Sequence, residues 1–260
     1  MNIFINVDNN KELALSVKEE LISICNRLEI EIVVDAEKAD IICSIGGDGT
    51  FLESSRLASN SQILGVNCGT LGFLTDVNPE ELEDALLDIL NNKYYVEERM
   101  MLEGEIIKEN GEKIRIPQAL NEIGISKNTF GVLRFDTIVD DKLINSYTAD
   151  GILVCTPTGS TAYNLSCGGP IVDPTANIIT ITPIAPHSVI NRSIILSDHS
   201  VVEIKITELR EKTTAYVLYD GKPIEVTTGD TIRIRRSEHI TKIIKLNWQS
   251  FIDNVRRNIK

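Results

Sequence analysis

The apolar positions of the first 97 residues follow two different periods. Short apolar runs with the length of buried strands occupy residues 3–7, 30–34, 41–45 and 63–66. Apolar residues at helical spacing lie between the first two runs, at Leu13, Val17, Leu21, Ile24 and Leu28. Two further helices are predicted, from about residue 50 to 58 and from residue 79 to 90. Strands that alternate with helices predict a parallel sheet, in which ligands bind beyond the carboxyl ends of the strands.

From about residue 97 the pattern changes to that of a mostly antiparallel β domain, with strand-like runs separated by turn pairs such as Asn110-Gly111. These runs cover residues 101–108, 113–116, 123–126, 133–139, 152–155, 178–182, 201–206, 215–219 and 231–235. The tail returns to a strand at residues 240–246 and a helix at residues 249–259. We therefore predict an α/β protein with two domains. A Rossmann-like parallel-sheet domain of residues 1–97, with the tail from about residue 238 to 260 packed back on it, is followed by a β-rich domain of residues 98–237.

The stretch Gly46-Gly47-Asp48-Gly49-Thr50 joins a predicted strand to a predicted helix. Its glycines allow positive φ and a close approach of another molecule to the main chain. Thr50 suits the N-cap of the helix, whose free N–H groups attract phosphate. A carboxylate in such a turn repels phosphate unless it holds a metal ion or accepts a proton, so Asp48 is a candidate for chemistry. A tight turn with a solvated aspartate is the alternative interpretation.

Two polar groups of residues in the second half are candidates for a ligand site. Asn121-Glu122 interrupts an apolar stretch, and a buried amide and carboxylate together offer donors and acceptors to a diol such as a ribose edge. A strand-end pair that faces solvent is the alternative. Residues 156–170 are rich in hydroxyl and small side chains and include Tyr163, whose ring offers a stacking face. A surface loop rich in serine and threonine is the alternative there.

Charge and cysteine content narrow the class of partner. The 26 basic and 38 acidic residues give a formal net charge of −12, which argues against a nucleic acid or an anionic membrane as partner. Residues 1–8 lack the basic region of a signal peptide, and no stretch has transmembrane length, so we expect a cytoplasmic protein. Five cysteines without a C-x-x-C pair and three scattered histidines predict buried thiols and no structural zinc site.

Three common sequence motifs are absent. The chain has no G-x-x-x-x-G-K-[ST] motif, which argues against a P-loop. No G-x-G-x-x-G follows the first strand, so a dinucleotide is not held in the usual Rossmann manner. Neither Ser160 nor Ser166 has the flanking glycines of a nucleophile elbow, which argues against a hydrolase triad.

Four motifs together resemble those of the NAD kinases. They are G-G-D-G-T at residues 46–50, N-x-G-x-L-G-F-L-T at residues 67–75, Asn121-Glu122, and T-P-T-G-S-T-A-Y-N-L-S-C-G-G-P at residues 156–170. Lipid kinases and phosphofructokinases carry a turn like the first motif, whereas its combination with the last is specific. The resemblance implies transfer of the γ-phosphoryl group of ATP, or of inorganic polyphosphate in some members, to the 2′-hydroxyl of the adenosine ribose of NAD, giving NADP.

The resemblance also implies roles for individual residues. Asp48 matches the proposed proton acceptor, and Asn121 and Glu122 match the pair that binds the dinucleotide. The adenosine-contacting segment is matched by Thr161, Ala162, Tyr163 and Ser166, with Thr158 and Asn164 in the same block. The other substrate-binding positions implied are Gly46, Gly47, Gly49, Thr50, Phe73, Thr148, Asp150, Ala185, Asp220 and Lys222. Asp150 and Ala185 match positions near the nicotinamide half. Lys222 stands where many relatives carry glutamine, and Thr148 where some carry arginine.

The same resemblance implies the partners and leaves two rival functions open. NAD and ATP are the expected substrates, with Mg²⁺ or another divalent cation accompanying the donor and with no metal ligand from the protein. The family is expected to form homodimers or homotetramers. A lipid or sugar kinase that shares the glycine-aspartate turn is one rival, although it needs an apolar groove or a cluster of Arg and Lys. An NAD(P)-binding sensor without catalysis is the other rival.

Overall fold

The structure, a computed structural model, describes residues 1–69, 72–128, 131–187, 191–210, 213–246 and 251–258. Its α-helices are α1 (Glu12–Arg27), α2 (Asp48–Leu57), α3 (Leu82–Leu90), α4 (Tyr163–Ser166) and α5 (Phe251–Asn258). Its strands are β1 (Asn2–Val7), β2 (Glu31–Val33), β3 (Ile41–Gly46), β4 (Gln62–Asn67), β5 (Tyr95–Ile107), β6 (Lys113–Ala119), β7 (Glu122–Lys127), β8 (Leu133–Val139), β9 (Lys142–Thr148), β10 (Gly151–Cys155), β11 (Ile178–Ile184), β12 (Ile194–Ser197), β13 (Val202–Leu209), β14 (Ala215–Tyr219), β15 (Lys222–Val226) and β16 (Thr231–Lys245). The chain divides into a first unit, Met1–Arg99 with Thr241–Lys260, and a second unit, Met100–Ile240.

The first unit contains a parallel sheet, as the alternation of strands and helices predicts. Its strands lie in the order β2-β1-β3-β4, and the end of β16 pairs with β4 in parallel. Strand β3 is buried at every residue, as expected for a strand covered on both faces. The pairing of Ile243 with Ile63 confirms that the tail packs back on the first domain.

Helix α1 buries one stripe of side chains against this sheet. The buried positions are Ala14, Val17, Leu21, Ile24 and Cys25. Leu13, predicted on this face, is instead 52% exposed, because Ala14 takes the place in the stripe three residues before Val17. Ahead of α3, residues 79–81 form a 3₁₀ turn that a capping box between Asn78 and Glu81 closes. In the part of the chain that the structure describes, no helix is long and apolar enough to cross a membrane.

The second unit is built from antiparallel strands, which confirms the predicted change to a mostly antiparallel β domain. Six strands form a sheet in the order β12-β11-β10-β7-β14-β15. A second set of strands lies in the order β16-β13-β8-β9, with β5 beside β16 and β6 beside β5. Side chains from both sets share one hydrophobic core, to which β7 contributes Ile125, β8 Phe135 and β13 Ile204. The unit is therefore two packed β layers.

Three strands of this unit were not predicted, and all three lie at the edge of a sheet. They are β9, β12 and β15. An edge strand buries few side chains, so its sequence lacks a strong apolar signal. In β9, for example, Leu143 is 61% exposed. Conversely, the predicted strands at residues 231–235 and 240–246 are parts of the single 15-residue strand β16.

The solvent-facing side of β5, β16 and β13 carries alternating rows of acidic and basic side chains. Arg235 on β16 lies 2.6 Å from Glu103 on β5. Arg233, two residues earlier, lies 2.6 Å from Glu203 on β13 and 3.6 Å from Glu105 on β5. These side chains are partly exposed, so each pair contributes at most about 1 kcal/mol to stability. We call this set the charge ladder.

Candidate active site

The turn after β3 presents Asp48 at the first position of α2. The predicted N-cap, Thr50, is wrong: α2 begins at Asp48, and its N-cap is Gly47 in an extended conformation with φ −118° and ψ −168°. Thr50 is buried and packs over Gly46, where a Cβ atom would overlap the Thr50 hydroxyl. The predicted positive φ is found at none of Gly46, Gly47 and Gly49. Close packing, rather than left-handed backbone, therefore requires glycine at position 46.

The carboxylate of Asp48 accepts two hydrogen bonds from the second glycine-bearing loop. The Phe73 N–H donates to Oδ2 at 3.0 Å and the Leu74 N–H donates to Oδ1 at 3.2 Å. Gly72 approaches so closely that a Cβ atom there would overlap the carboxylate. Two N–H donors stabilise a carboxylate, which lessens the conflict between this charge and a phosphate-binding turn. Phe73 thus takes part through its backbone, while residues 70 and 71 of the same motif lie outside the described residues.

The two glycine-bearing loops lie side by side at the carboxyl ends of β3 and β4. The Cys68 N–H donates to the Gly46 carbonyl at 2.7 Å. A cation that the sequence analysis missed, Lys11 in the loop after β1, lies beside both loops. Its Nζ is 3.6 Å from the position that a Cβ atom would take at Gly47 and 3.0 Å from that position at Gly69. A single lysine between a strand and a helix forms no sequence pattern, so the sequence does not indicate that Lys11 lies beside these loops.

In the second unit, Asp220 holds the main chain that carries Asn121 and Glu122. Its carboxylate accepts the N–H groups of Leu120 at 3.0 Å, Asn121 at 2.8 Å and Glu122 at 3.4 Å. The Asp220 N–H in turn donates to the Glu122 carbonyl at 3.1 Å. Asp220 adopts φ +46°, a left-handed conformation that aspartate tolerates in turns. The predicted ligand residue Asp220 therefore positions the predicted pair.

Glu122 is a buried carboxyl group with unused hydrogen-bonding capacity. It is 5% exposed, and its Oε2 has no hydrogen-bond partner within the described part of the chain. Burial, and then the nearby charge of Asp220, raise the pKa of Glu122 to about 8. At neutral pH the group therefore carries its proton and can donate a hydrogen bond to a ligand oxygen.

Residues 156–170 fold back onto the main chain of residues 120–122. The Thr156 N–H donates to the Asn121 carbonyl at 2.9 Å, and the Thr156 hydroxyl donates to the Leu120 carbonyl at 2.6 Å. A Cβ atom at Gly159 would overlap the Asn121 carbonyl, so glycine is needed for this approach. The two polar groups of residues predicted from the sequence therefore lie together.

Within this block, two predicted ligand residues, Asn164 and Thr158, are enclosed by the protein. The Asn164 side chain is fully buried. Its Nδ2 donates to the Ser160 carbonyl at 3.2 Å and to the Pro170 carbonyl at 3.1 Å, and its Oδ1 accepts from the Thr182 hydroxyl at 2.7 Å. Asn164 thus joins the two ends of the block. Thr158, at the start of the 3₁₀ turn Thr158–Thr161, is also buried, and it accepts a hydrogen bond from Thr161 through its carbonyl.

Other members of the block face outward. Tyr163 is 40% exposed, Ser166 is exposed, and Ala162 lies between the 3₁₀ turn and α4. Burial, and then the neighbouring Cys167, raise the pKa of the Tyr163 hydroxyl, with smaller contributions from the charges of Asp150 and Glu122. The exposed part of the Tyr163 ring is available to a ligand.

Thr148, Asp150 and Ala185 meet at the ends of β9, β10 and β11. The Asp150 N–H donates to the carbonyl before Ala185 at 2.9 Å, and the Asp150 carboxylate pairs with Lys127 at 2.9 Å. The Thr148 hydroxyl accepts a hydrogen bond from Arg134 at 3.3 Å. Ala185 adopts φ +43°, which costs an alanine about 1–2 kcal/mol. A strained residue next to a predicted ligand position is common at binding sites.

The remaining predicted features concern Lys222, thiols and metal ions. Lys222 is exposed at the start of β15. The five cysteines are free thiols, and all but Cys167 are buried, as predicted. Across the residues that the structure describes, no group of three or more His, Cys, Asp or Glu side chains is arranged to hold a metal ion.

Replacing Asp220 with alanine is expected to raise KM for the dinucleotide substrate that the sequence resemblance implies by about tenfold or more, because three N–H groups lose their acceptor and a buried unpaired donor costs about 1–3 kcal/mol. Asp220→Asn keeps an acceptor oxygen and should be less impaired. Steady-state kinetics with each substrate varied in turn would measure both variants. An unchanged dinucleotide KM in a folded Asp220→Ala protein would contradict the positioning role.

The sequence matches two family models. The model described as the ATP-NAD kinase N-terminal domain matches residues 7–94, and that described as the ATP-NAD kinase C-terminal domain matches residues 120–246. A NAD kinase of Ruminiclostridium cellulolyticum is 39% identical over 235 residues, which cover 89% of this chain and 82% of the relative. A NAD kinase of Caldicellulosiruptor bescii is 34% identical over 269 aligned positions, which cover 100% of both chains.

Two solved structures are similar to this one. A NAD kinase from Archaeoglobus fulgidus in complex with ATP has a TM-score of 0.79 at 26% identity, covering 98% of each chain. A yeast NADH kinase complexed with NADH has a TM-score of 0.90 at 23% identity, covering 100% of this chain and 87% of the other. The second likeness establishes the fold, and the first agrees with the match to the family models.

Proposed function

The chain belongs to the NAD kinase family, and we propose that it transfers the γ-phosphoryl group of ATP to the 2′-hydroxyl of the adenosine ribose of NAD, giving NADP. Among the residues of this chain, the environment of Asp48 is the observation that supports this proposal most strongly. It lies in a glycine turn at the N-terminus of α2, and two backbone N–H groups of the second loop hold its carboxylate. A fixed, charged carboxylate among free helix N–H groups suits a reaction between an anion and a hydroxyl.

We propose that Asp48 accepts the proton of the 2′-hydroxyl as the phosphoryl group is transferred. Phosphoryl transfer passes through a loose transition state, so most of the acceleration comes from positioning and charge neutralisation. The glycines at positions 47 and 49 leave the main chain open to the donor phosphates, and Gly49 has no neighbour within 4 Å of its Cβ position. Asp48 therefore orients the hydroxyl as well as receiving its proton.

For the dinucleotide we propose the surface formed by Asn121, Glu122 and the exposed part of the Thr158–Ser166 block. The neutral Glu122 would donate a hydrogen bond to a ligand oxygen, and the Tyr163 ring would stack on a base. The enclosed Asn164 and Thr158 are better explained as residues that position this surface. Asp150, Ala185, Thr148 and Lys222 remain proposed contacts, and Asp220 acts through Asn121 and Glu122.

We also propose that Mg²⁺ accompanies the donor. A hard divalent cation binds phosphate oxygens and neutralises the charge that develops during transfer. No residue of this chain is assigned to it as a ligand. A cytoplasmic location and a homodimeric or homotetrameric state are proposed from the family alone.

We expect the purified protein to form NADP when incubated with NAD, ATP and Mg²⁺, with an NADP-specific dehydrogenase as the readout. Diacylglycerol and fructose 6-phosphate should not be phosphorylated, which separates the proposal from a lipid or sugar kinase. Inorganic polyphosphate in place of ATP tests the second possible donor. Binding of NAD without any NADP formation would favour the sensor instead.

A further inference from the structure

Lys11 follows β1 and is the N-cap residue of α1. An N-cap is usually Asn, Asp, Ser, Thr or Gly, whose short side chains satisfy a free N–H group. The Lys11 side chain makes no capping hydrogen bond, and its positive charge lies at the positive end of the helix dipole. The side chain therefore does not stabilise the helix that it begins, and its position needs another explanation.

The ammonium group of Lys11 is directed toward the two glycine-bearing loops. Its Nζ lies 3.0 Å from the Cβ position of Gly69 and 3.6 Å from that of Gly47, the N-cap of α2. A side chain at position 69 would press on the ammonium group, so glycine there leaves it room. The charge also acts on Cys68. Burial raises the pKa of the Cys68 thiol, and the positive charge of Lys11 acts in the opposite direction.

The ammonium group also remains accessible to a ligand. The Lys11 side chain is 40% exposed, and it forms an ion pair with the carboxylate of Asp8 at 3.7 Å, which is longer than a hydrogen bond. Ion pairs of this kind at the surface contribute little to stability. A lysine is a compact charge on a flexible stem, well suited to a phosphate oxygen. A cation, free helix N–H groups and an open glycine turn thus converge in the first unit.

We propose that Lys11 binds the phosphate chain of the phosphoryl donor. The inference rests on the proposed function, because it assigns the donor phosphates to the turn at residues 46–50. The contact is to phosphate and not to a base, so ATP and inorganic tripolyphosphate should depend on Lys11 alike. Lys11 then supplies a positive charge that the glycine turn and Asp48 lack.

The test compares the equilibrium affinities of purified variants for ATP, tripolyphosphate and NAD. Lys11→Met keeps the length of the side chain and removes its charge. We expect it to weaken the binding of ATP and of tripolyphosphate by about tenfold or more. NAD affinity should stay at the wild-type value. Lys11→Arg should restore most of the donor affinity. Added salt should weaken donor binding more steeply in the wild type than in Lys11→Met.

The matched control is Lys38→Met. Lys38 lies 3.8 Å from Asp35, again three positions apart in the chain, in the 3₁₀ helix that precedes β3 and thus at the amino end of that strand, opposite to the end that carries Gly47. This variant should bind both donors as the wild type does. Equal donor affinity in Lys11→Met and Lys38→Met, with thermal unfolding showing both folded, would overturn the proposal. If the wild type makes no NADP yet loses tripolyphosphate binding on Lys11→Met, the proposed function fails and the Lys11 assignment stands.

Discussion

Replacing Asp48 with asparagine is expected to lower kcat for NADP formation by about 10²–10⁴-fold, the usual contribution of a general base. An amide does not accept the hydroxyl proton, and its NH₂ group cannot accept from the N–H of Phe73 or Leu74, each of which now donates to one carboxylate oxygen. NAD affinity should remain close to the wild-type value. Steady-state kinetics at saturating ATP, with calorimetry for NAD binding, measure the two effects separately.

A second variant separates the chemistry of Asp48 from the packing of its loop. Gly72→Ala keeps the carboxylate but places a Cβ atom against it, so a loss of turnover there shows that its position matters as well as its charge. Asp84→Asn, which removes a charge from the exposed side of α3, is the control and should retain wild-type turnover. Full activity in Asp48→Asn would exclude Asp48 as the proton acceptor.

The free energy of unfolding is expected to fall as pH rises from 4.5 to about 8, owing to Glu122. The pKa of this group is 4.5 in an ordinary setting and about 8 in the folded protein. Between these values the unfolded chain has lost the proton that the folded protein keeps, so a higher pH favours unfolding. The slope for one such group reaches about 1.4 kcal/mol per pH unit. The stability is fully present below pH 4.5 and is lost as pH rises through about 8.

Glu122→Gln should remove this dependence, because glutamine is neutral at every pH. Urea unfolding of both proteins between pH 5 and pH 9 would show the variant gaining stability relative to the wild type as pH rises. Glu112→Gln, at an exposed turn of the same unit, is the matched control and should follow the wild-type curve. Parallel curves for wild type and Glu122→Gln would mean that Glu122 is ionised in the folded protein.

Local sequence patterns were sufficient for the elements whose burial is strong. The apolar stripe of α1 and the apolar run of β3 follow from periodicity and length. The edge strand β9 was missed because two of its apolar side chains, Leu143 and Ile144, face solvent. The N-cap of α2 was misplaced because Thr50 has the usual residue type, whereas the structure uses Gly47 and buries the threonine against Gly46.

In the candidate site, too, the sequence predicted only those residues that a local pattern marks. Asn121-Glu122 was found because polar residues interrupt an apolar run. The reason for their fixed position, the carboxylate of Asp220, lies 98 to 100 residues along the chain and leaves no local pattern. Lys11 was missed for the same cause, since its neighbours Gly47 and Gly69 are brought to it only by the parallel sheet.

The charge ladder has a consequence for how the strands of the second unit find their partners. Strand β16 presents Arg233 and Arg235 to one face, while the intervening Ile232 and Ile234 are fully buried. A slip of one residue would turn both arginines into the core and leave Glu103 and Glu203 facing isoleucine. Such a shifted pairing would bury unpaired charge, at a cost far above the small gain from each native pair. The ladder therefore selects against wrong registers during folding, even though it adds little to the stability of the correct one.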